Sequence, residues 1–463
     1  MTSLSPRIGL LPLYLKLYDD SLPDCRAGCE EILREVEACL TRLGAGVTVA
    51  KVVRTAAEAV AAVRGLEEAK VDCLVTLHLA YSPSLETAPA LVKSRLPLVL
   101  LDTSPDAAFG PDTDPARIMS NHGVHGVMDL ASVLRRRGRT FEIVVGHPRE
   151  SRALDRVVEL ARAAYAARAL RGMRVARIGT EFPGMGDFAV TPEMMKKAFG
   201  VHARQVDPSV LAKEMAAVSP EAISKEIAFD GNRYEVRADE AIHRRSVHVG
   251  LALRAFIEKE KLGAFTANFM AFQDPNGPAM PFLEISKALA RGTGYAGEGD
   301  LLTAALVGAL AAGFGETTFT EVFCADWRGN SLFLSHMGET NPALAPDKPR
   351  VITKDYPFLK SGPTAAIVAG LRPGPAVYVN LVPGPRGTFQ LVVVPVEMLP
   401  ETGCDKLRDT VRGWMRPMGR PVAEFLEEYS RQGGTHHAAL VYGKRAEAVA
   451  AFGRFAGITS VVI

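Results

Sequence analysis

Four short segments set acidic or imidazole side chains beside glycines, turns or strand ends: GYAGEGD (294–300), TFTEVF (318–323), LSHMGETNP (334–342) and GGTHH (433–437). A glutamate in a glycine-rich loop is poorly placed to join a packed core and well placed to reach a ligand. Each segment alone says little, because a solitary glutamate is usually solvated and a solitary histidine is usually a hydrogen-bonded structural group. Their joint occurrence raises Glu298, Glu321, His336 and the pair His436-His437 above that background. Carboxylates and imidazoles are the side chains that take up and return protons near neutral pH.

A rival motif overlaps the first segment. Residues Gly292 to Gly297, read GTGYAG, match the GxGxxG pattern of dinucleotide-binding folds. That pattern works where a strand ends and a helix begins, so that amides and the helix dipole meet a pyrophosphate. Here the segment ahead of it, Met280–Arg291, reads as a helix, and no unit with the expected downstream acidic residue follows. A nucleotide or flavin cofactor is therefore not expected, and the glycines are read as a tight loop that delivers Glu298.

The elements that must carry these residues follow from apolar periodicity. Ile8–Leu13, Val47–Val53, Asp72–Leu77, Leu96–Asp102 and Phe141–Gly146 are short apolar runs, separated by helical patterns such as Ala27–Leu43 and Ala56–Ala69. Continuous apolar strands alternating with helices predict a doubly wound parallel sheet. A long helix, Arg149–Arg171, leads to a second α/β unit with strands Met173–Ile178, Ala203–Val206 and Ala264–Thr266. Beyond about residue 320, short strand-like runs punctuated by Pro and Gly take over: Ser331–Leu334, Arg350–Ile352, Ala365–Val368, Ala376–Val382 and Thr388–Pro395. The predicted fold is thus α/β: two doubly wound parallel-sheet domains, 1–171 and 172–325, then a C-terminal β-rich, barrel-like domain, 326–463.

With 463 residues the chain is too long for one core, and 48% hydrophobic with 23% charged residues is ordinary for a folded protein. Lys and Arg (54) nearly balance Asp and Glu (52), which argues against a nucleic-acid or anionic-membrane partner. The one dense basic run, Arg135–Arg139, reads as a helix C-terminus. The six cysteines are scattered and read as reduced, mostly buried thiols. The N-terminal stretch lacks the order of a secretory signal, and no apolar run approaches a membrane span, so a cytoplasmic protein is expected.

The order GYAGEGD, a helix of type TAAL, an acidic residue in a strand, SHM and then GG-x-HH resembles L-arabinose isomerase, and the related L-fucose isomerases share the broader architecture. The agreement runs through Gly263–Ile463; a looser one covers Leu17-Tyr18, Tyr81–Pro83 and Asn121–Gly126. The resemblance implies that Glu298, Glu321, His336 and His437 hold a divalent metal, with His436 beside the sugar. Such a set suits Mn²⁺, with Co²⁺ or Mg²⁺ as alternatives, and leaves two octahedral positions for sugar oxygens. It implies an aldose–ketose isomerase in which Glu298 and Glu321 serve as ligands and as acid–base groups, with the assignment of each proton transfer to one or the other left open. Moving a carbonyl from C1 to C2 requires just such groups: a cation for the oxygens of the ene-diolate and a carboxylate for the carbon-bound proton.

By the same resemblance His125 reaches the sugar in a neighbouring subunit's site, Phe269 forms an aromatic wall, Met185 lines the pocket, and Tyr18 and Tyr81 supply walls or hydroxyls. Relatives of this kind form homohexamers. Two departures bear on the substrate: Leu15 and His122 stand where the family pattern has glutamines. Lost amide donors remove hydrogen bonds that discriminate hydroxyl configuration. L-arabinose, L-fucose and D-galactose are therefore all candidate substrates. Two other classes remain open: a sugar-binding or regulatory protein, and a metal-dependent epimerase or lyase.

Overall fold

The computed structural model describes residues 5–22, 25–402, 406–443 and 445–463. The chain forms two compact units, divided between Arg168 and Ala169. In the first, strands Arg7–Leu13 (β1), Gly46–Val49 (β2), Cys73–His78 (β3), Leu98–Asp102 (β4) and Glu142–Val145 (β5) form one parallel sheet in the order β2-β1-β3-β4-β5. β3 and β4 are buried along their whole length, which explains their mostly apolar sequence; Thr76, His78 and Asp102 are the buried polar exceptions. Between the strands run helices Cys25–Arg42, Ala56–Glu68, Ser84–Lys93 and Gly123–Arg136. Thr55 and Glu58 cap Ala56–Glu68 reciprocally, so the chain turns sharply into that helix. The basic run does close a helix: Arg135 and Arg136 lie in the last turn of Gly123–Arg136.

In the second unit, Arg174–Ile178 (β6), His202–Val206 (β7), the two-residue Glu235–Val236 (β8), Ala264–Ala267 (β9) and Gly294–Gly297 (β10) come first. All but β8 form a second parallel sheet, ordered β10-β9-β6-β7. The remaining strands are Thr317–Asp326 (β11), Ser331–Ser335 (β12), Arg350–Lys354 (β13), Thr364–Val368 (β14), Gly374–Pro383 (β15), Phe389–Leu399 (β16), Gly413–Pro417 (β17), His437–Tyr442 (β18) and Thr459–Val462 (β19). Seven of these follow one another as β15-β18-β11-β12-β17-β16-β19, and β15 also pairs with β16, which closes the sheet into a barrel. Leu332, Leu334, Tyr378, Val392, Val394, Met415, Ala438 and Leu440 belong to its buried core.

Two details differ from the reading of the sequence. Arg350–Ile352 and Ala365–Val368 are not barrel strands; β13 and β14 join β8 in a separate three-stranded sheet. Their inner residues Val351, Ala365 and Ile367 bury against Val247 and Leu283 of the neighbouring helices, a choice that turn punctuation cannot reveal. The glycine motif is also not a loop. Gly294–Gly297 is the fully buried strand β10, and a side chain on Gly294 would strike Ala304 and Gly308 of the helix Leu301–Phe314. The tight turn comes one residue later, at Glu298. Cys39 and Cys73 are buried free thiols, Cys29 is buried and Cys324 is exposed; Cys404 and the side chain of Cys25 lie outside the described residues. Among the described residues no helix is long and apolar enough to cross a membrane.

Candidate active site

Glu298 leaves the carboxyl end of β10 with φ at +61°, a conformation non-glycine residues rarely adopt, and Gly299 follows at +86°. Strain of this kind persists only where surrounding structure over-determines it. Here a Cβ on Gly299 would sit 2.5 Å from the carbonyl of Thr180, and one on Gly297 would sit 2.7 Å from the ring of His336. The glycines thus let the turn and the imidazole approach each other. Buried Arg177 supports the turn from below, its Nε donating to the Gly299 carbonyl at 3.0 Å.

Barrel register brings the other groups in. Glu321 on β11 lies opposite His437 on β18 and opposite Ser335 on β12, the residue before His336. Residues directly opposite on antiparallel strands share a face. The chain leaves β12 at Ser335, and the Nε2 of the next residue, His336, lies 3.7 Å from Glu321; the Nε2 of His437 lies 3.6 Å from Glu298. Ligand atoms of Glu321, His336 and His437 lie within 4.8 Å of one another, as do those of Glu298, His436 and His437. The two triads share His437. Its Nε2 is buried and has no hydrogen-bond partner among the described residues.

Each imidazole is held at its other nitrogen. The Nδ1 of His336 pairs with Glu339 at 2.7 Å, and that of His437 with Asp300 at 3.1 Å. Asp300 also caps the helix Leu301–Phe314 by accepting from the Thr303 amide, and Glu339 also accepts from Tyr295 and from the Gly338 amide. A carboxylate on Nδ1 sets the tautomer that leaves Nε2 free for a cation. The ring of Phe319 meets both imidazoles edge-on, at 4.9 and 5.0 Å, and Phe188 stacks on His437 at 5.0 Å. At His436, Nδ1 pairs with Asp187 at 2.6 Å and Nε2 lies 3.7 Å from Glu298.

The two glutamates titrate in opposite directions. Burial raises Glu321, with Glu298 adding to it and the imidazoles opposing. Burial would also raise Glu298, but His436, His336 and His437 outweigh it and hold this carboxyl below the ordinary range. Burial likewise works against protonating His336 and His436, yet Glu339 lifts the first to about 9 and Asp187 with Glu298 lifts the second to about 10.

The remaining expected residues divide between the units. Phe269 opens a single helical turn and packs between Phe182 at 5.5 Å and Phe358 at 5.1 Å, with Tyr356 stacked on Phe358. Met185 lies on the 181–190 loop, its amide donating to Phe182 at 3.3 Å. That loop also touches the glutamate turn, since the Phe182 amide donates to the Glu298 carbonyl at 2.9 Å. Tyr18, Tyr81 and His125 belong to the N-terminal unit. There Tyr18 and His122 are hydrogen-bonded at 2.8 Å, Tyr81 stacks on His125 at 4.6 Å, and the rings of His122 and His125 lie 5.0 Å apart. Asp300 and Glu339 were not singled out in the sequence although both sit inside the quoted segments. Asp187 and Phe188 were not singled out although Met185 of the same loop was, because only the fold carries that loop to residues 436 and 437.

Comparison with known proteins bears on this arrangement. The model of the L-arabinose isomerase central domain matches residues 174–313, and that of the L-arabinose isomerase C-terminal domain matches residues 316–459. An L-arabinose isomerase from Geobacillus kaustophilus is 30% identical over 411 residues, covering 84% of this chain and 80% of that protein. Another, from Geobacillus stearothermophilus, is 30% identical with the same coverage, and L-arabinose isomerase 1 of Bacillus licheniformis is 28% identical over 403 residues. Among solved structures, an ABC-transporter solute-binding protein from Agrobacterium vitis aligns with 67% of this chain and 88% of its own at 12% identity; its TM-score of 0.17 carries no argument. The family models and the relatives define a sugar isomerase, an intramolecular oxidoreductase that interconverts aldose and ketose. Within that class, the chain belongs to the L-arabinose isomerase family.

Proposed function

We propose that this enzyme is a divalent-metal-dependent isomerase of a free aldose, with L-arabinose the first candidate and L-fucose and D-galactose the next. One observation carries the reading. Glu321 and His336 form one cluster with His437, while Glu298 and His436 form another with the same His437. The Nδ1 atoms of His336 and His437 are tied to carboxylates, which supports Glu298, Glu321, His336 and His437 as the ligand set. An unpartnered buried imidazole nitrogen facing a carboxylate is costly, and a cation there removes the cost. The donor set of two carboxylates and two imidazoles fits Mn²⁺, or Co²⁺ or Mg²⁺. When bound, the ion supplies positive charge that polarises the carbonyl and stabilises the charge developing on the sugar oxygens.

The chain's own groups do the rest. One of Glu298 and Glu321 takes the proton from C2 of the aldose and returns it to C1, while the hydroxyl proton passes from O2 to O1, so composition is unchanged. Phe188 and Phe319 pack against the imidazoles and shield them from water. Phe269, Met185 and His436 shape the sugar side of this unit. The family resemblance supports a cytoplasmic homohexamer in which His125 serves a neighbouring copy's site and Tyr18 and Tyr81 supply walls or hydroxyls; analytical ultracentrifugation tests the hexamer.

The deciding experiment incubates the protein with Mn²⁺ and a panel of aldopentoses and aldohexoses. Ketose should form, stop with EDTA and return with Mn²⁺. Sugar binding without turnover, indifferent to EDTA, would replace this reading with a binding protein; solvent deuterium uptake without ketose would replace it with an epimerase or lyase.

A further inference from the structure

We propose that Asp187 is the positioning residue of the reaction: it fixes the ring of His436 so that its Nε2 meets a sugar hydroxyl beside Glu298, and it does so without contributing to metal binding. The inference rests on the function proposed above.

A single oxygen of Asp187, Oδ2, accepts from the His436 amide at 3.1 Å and pairs with His436 Nδ1 at 2.6 Å. One atom therefore grips both the main chain and the ring of the same residue, which leaves the side chain little rotational freedom. Nε2 is then presented 3.7 Å from the Glu298 carboxylate.

The three imidazoles of the site thus carry one carboxylate each, but the third pair is built differently. Glu339 and Asp300 are buried with their histidines, Glu339 within three residues of His336 and Asp300 at a helix cap. The His436 and Asp187 side chains are 30% and 35% exposed, and 249 residues separate them. A buried pair facing two glutamates suits an ion held out of water. A half-exposed pair on the open side suits a polar group that arrives and leaves with substrate.

The loop bearing Asp187 is itself tied down. Its start donates from the Phe182 amide to Glu298, its middle stacks Phe188 on His437, and its end is held where Arg177 donates to the Val190 carbonyl at 3.1 Å. It is a short strap that fixes His436 relative to the glutamate.

The test compares Asp187→Ala, Asp187→Asn and Asp300→Ala by Mn²⁺ calorimetry, by kcat and KM on L-arabinose, and by imidazole ¹⁵N NMR of the metal-free protein. Asp187→Ala should lower kcat about 10- to 100-fold. KM and Mn²⁺ affinity should stay within about threefold, and the His436 Nδ1–H signal should disappear. Asp187→Asn keeps an oxygen that can accept both hydrogen bonds, so it should retain the signal and most of kcat. Asp300→Ala should show the reverse pattern, with Mn²⁺ binding weakened. Unchanged kcat and ring signal in Asp187→Ala would overturn the inference, as would a loss of Mn²⁺ affinity matching that of Asp300→Ala. A wild-type protein without Mn²⁺-dependent turnover would instead overturn the proposed function, while the NMR comparison would still decide whether Asp187 holds the ring.

Discussion

His78 and His336 are both buried imidazoles at strand ends, one in each unit, and their basicities move apart. The ring of His78 lies against Gly126, where a Cβ would come within 2.8 Å of it, and neither ring nitrogen has a hydrogen-bond partner among the described residues. Burial dominates, Asp129 is too weak to offset it, and the group falls to about 4. His336 meets the same penalty, but Glu339 at 2.7 Å reverses it. Burial sets the penalty and a touching carboxylate decides the sign. The same contrast separates the two regions. Around His122 and His125 the neighbours are Tyr18 and Tyr81, which suits stacking; around His336 and His437 they are carboxylates, which suits charge.

Removing acid–base function from the charged region should have the largest effect. Of Glu321→Gln and Glu298→Gln, the variant that removes the proton-transfer group should lower kcat by about 10²- to 10⁴-fold. If either variant keeps wild-type turnover in a ketose assay, that glutamate has no part in the proton transfer.

Next in size is a pH effect confined to the N-terminal unit. His78 has a depressed folded-state pKa, so its contribution to stability is complete above the unfolded value near 6.5 and is lost as pH falls through about 4. That window is worth roughly 3 kcal/mol. Urea titrations between pH 7 and 4 should show His78→Leu losing less stability with acid than wild type; parallel curves would refute the assignment. His336 has the opposite sign in metal-free protein: its contribution is present below about 6.5 and lost as pH rises through about 9.

Asp300→Ala should weaken Mn²⁺ binding about 10- to 100-fold by freeing the ring of His437. Calorimetry returning wild-type affinity would show that the helix cap does not orient the ligand. The smallest effect belongs to the stacked pair. Tyr81→Leu should cost about 0.5–1.5 kcal/mol and leave Mn²⁺ affinity unchanged. An altered metal affinity would break the division of labour between the regions.

Local patterns had already made much of this legible. Most parallel strands of both sheets were visible as short apolar runs, and Ile8–Leu13 and Met173–Ile178 match β1 and β6 within a residue; β10 was the exception. The barrel was readable as a class but not strand by strand. Arg350–Ile352 and Ala376–Val382 look alike in sequence, yet only the second closes the barrel. The glycine motif was half legible: the helix ahead of it, Phe282–Ala290, was readable, whereas its strand character depended on burial against the helix Leu301–Phe314.

Residue type and order by themselves singled out Glu298, Glu321, His336 and the pair His436-His437 as groups available for chemistry, because four short motifs set them beside glycines, turns or strand ends. Only the tertiary structure decided which nitrogen each imidazole presents and how basic it is. Those properties depend on Asp300, Glu339 and Asp187, whose interactions span three to 249 residues and exist only when barrel register and loop placement bring them within hydrogen-bonding reach. Hydrogen bonding and desolvation act over a few ångströms, a distance that spacing along the chain does not encode.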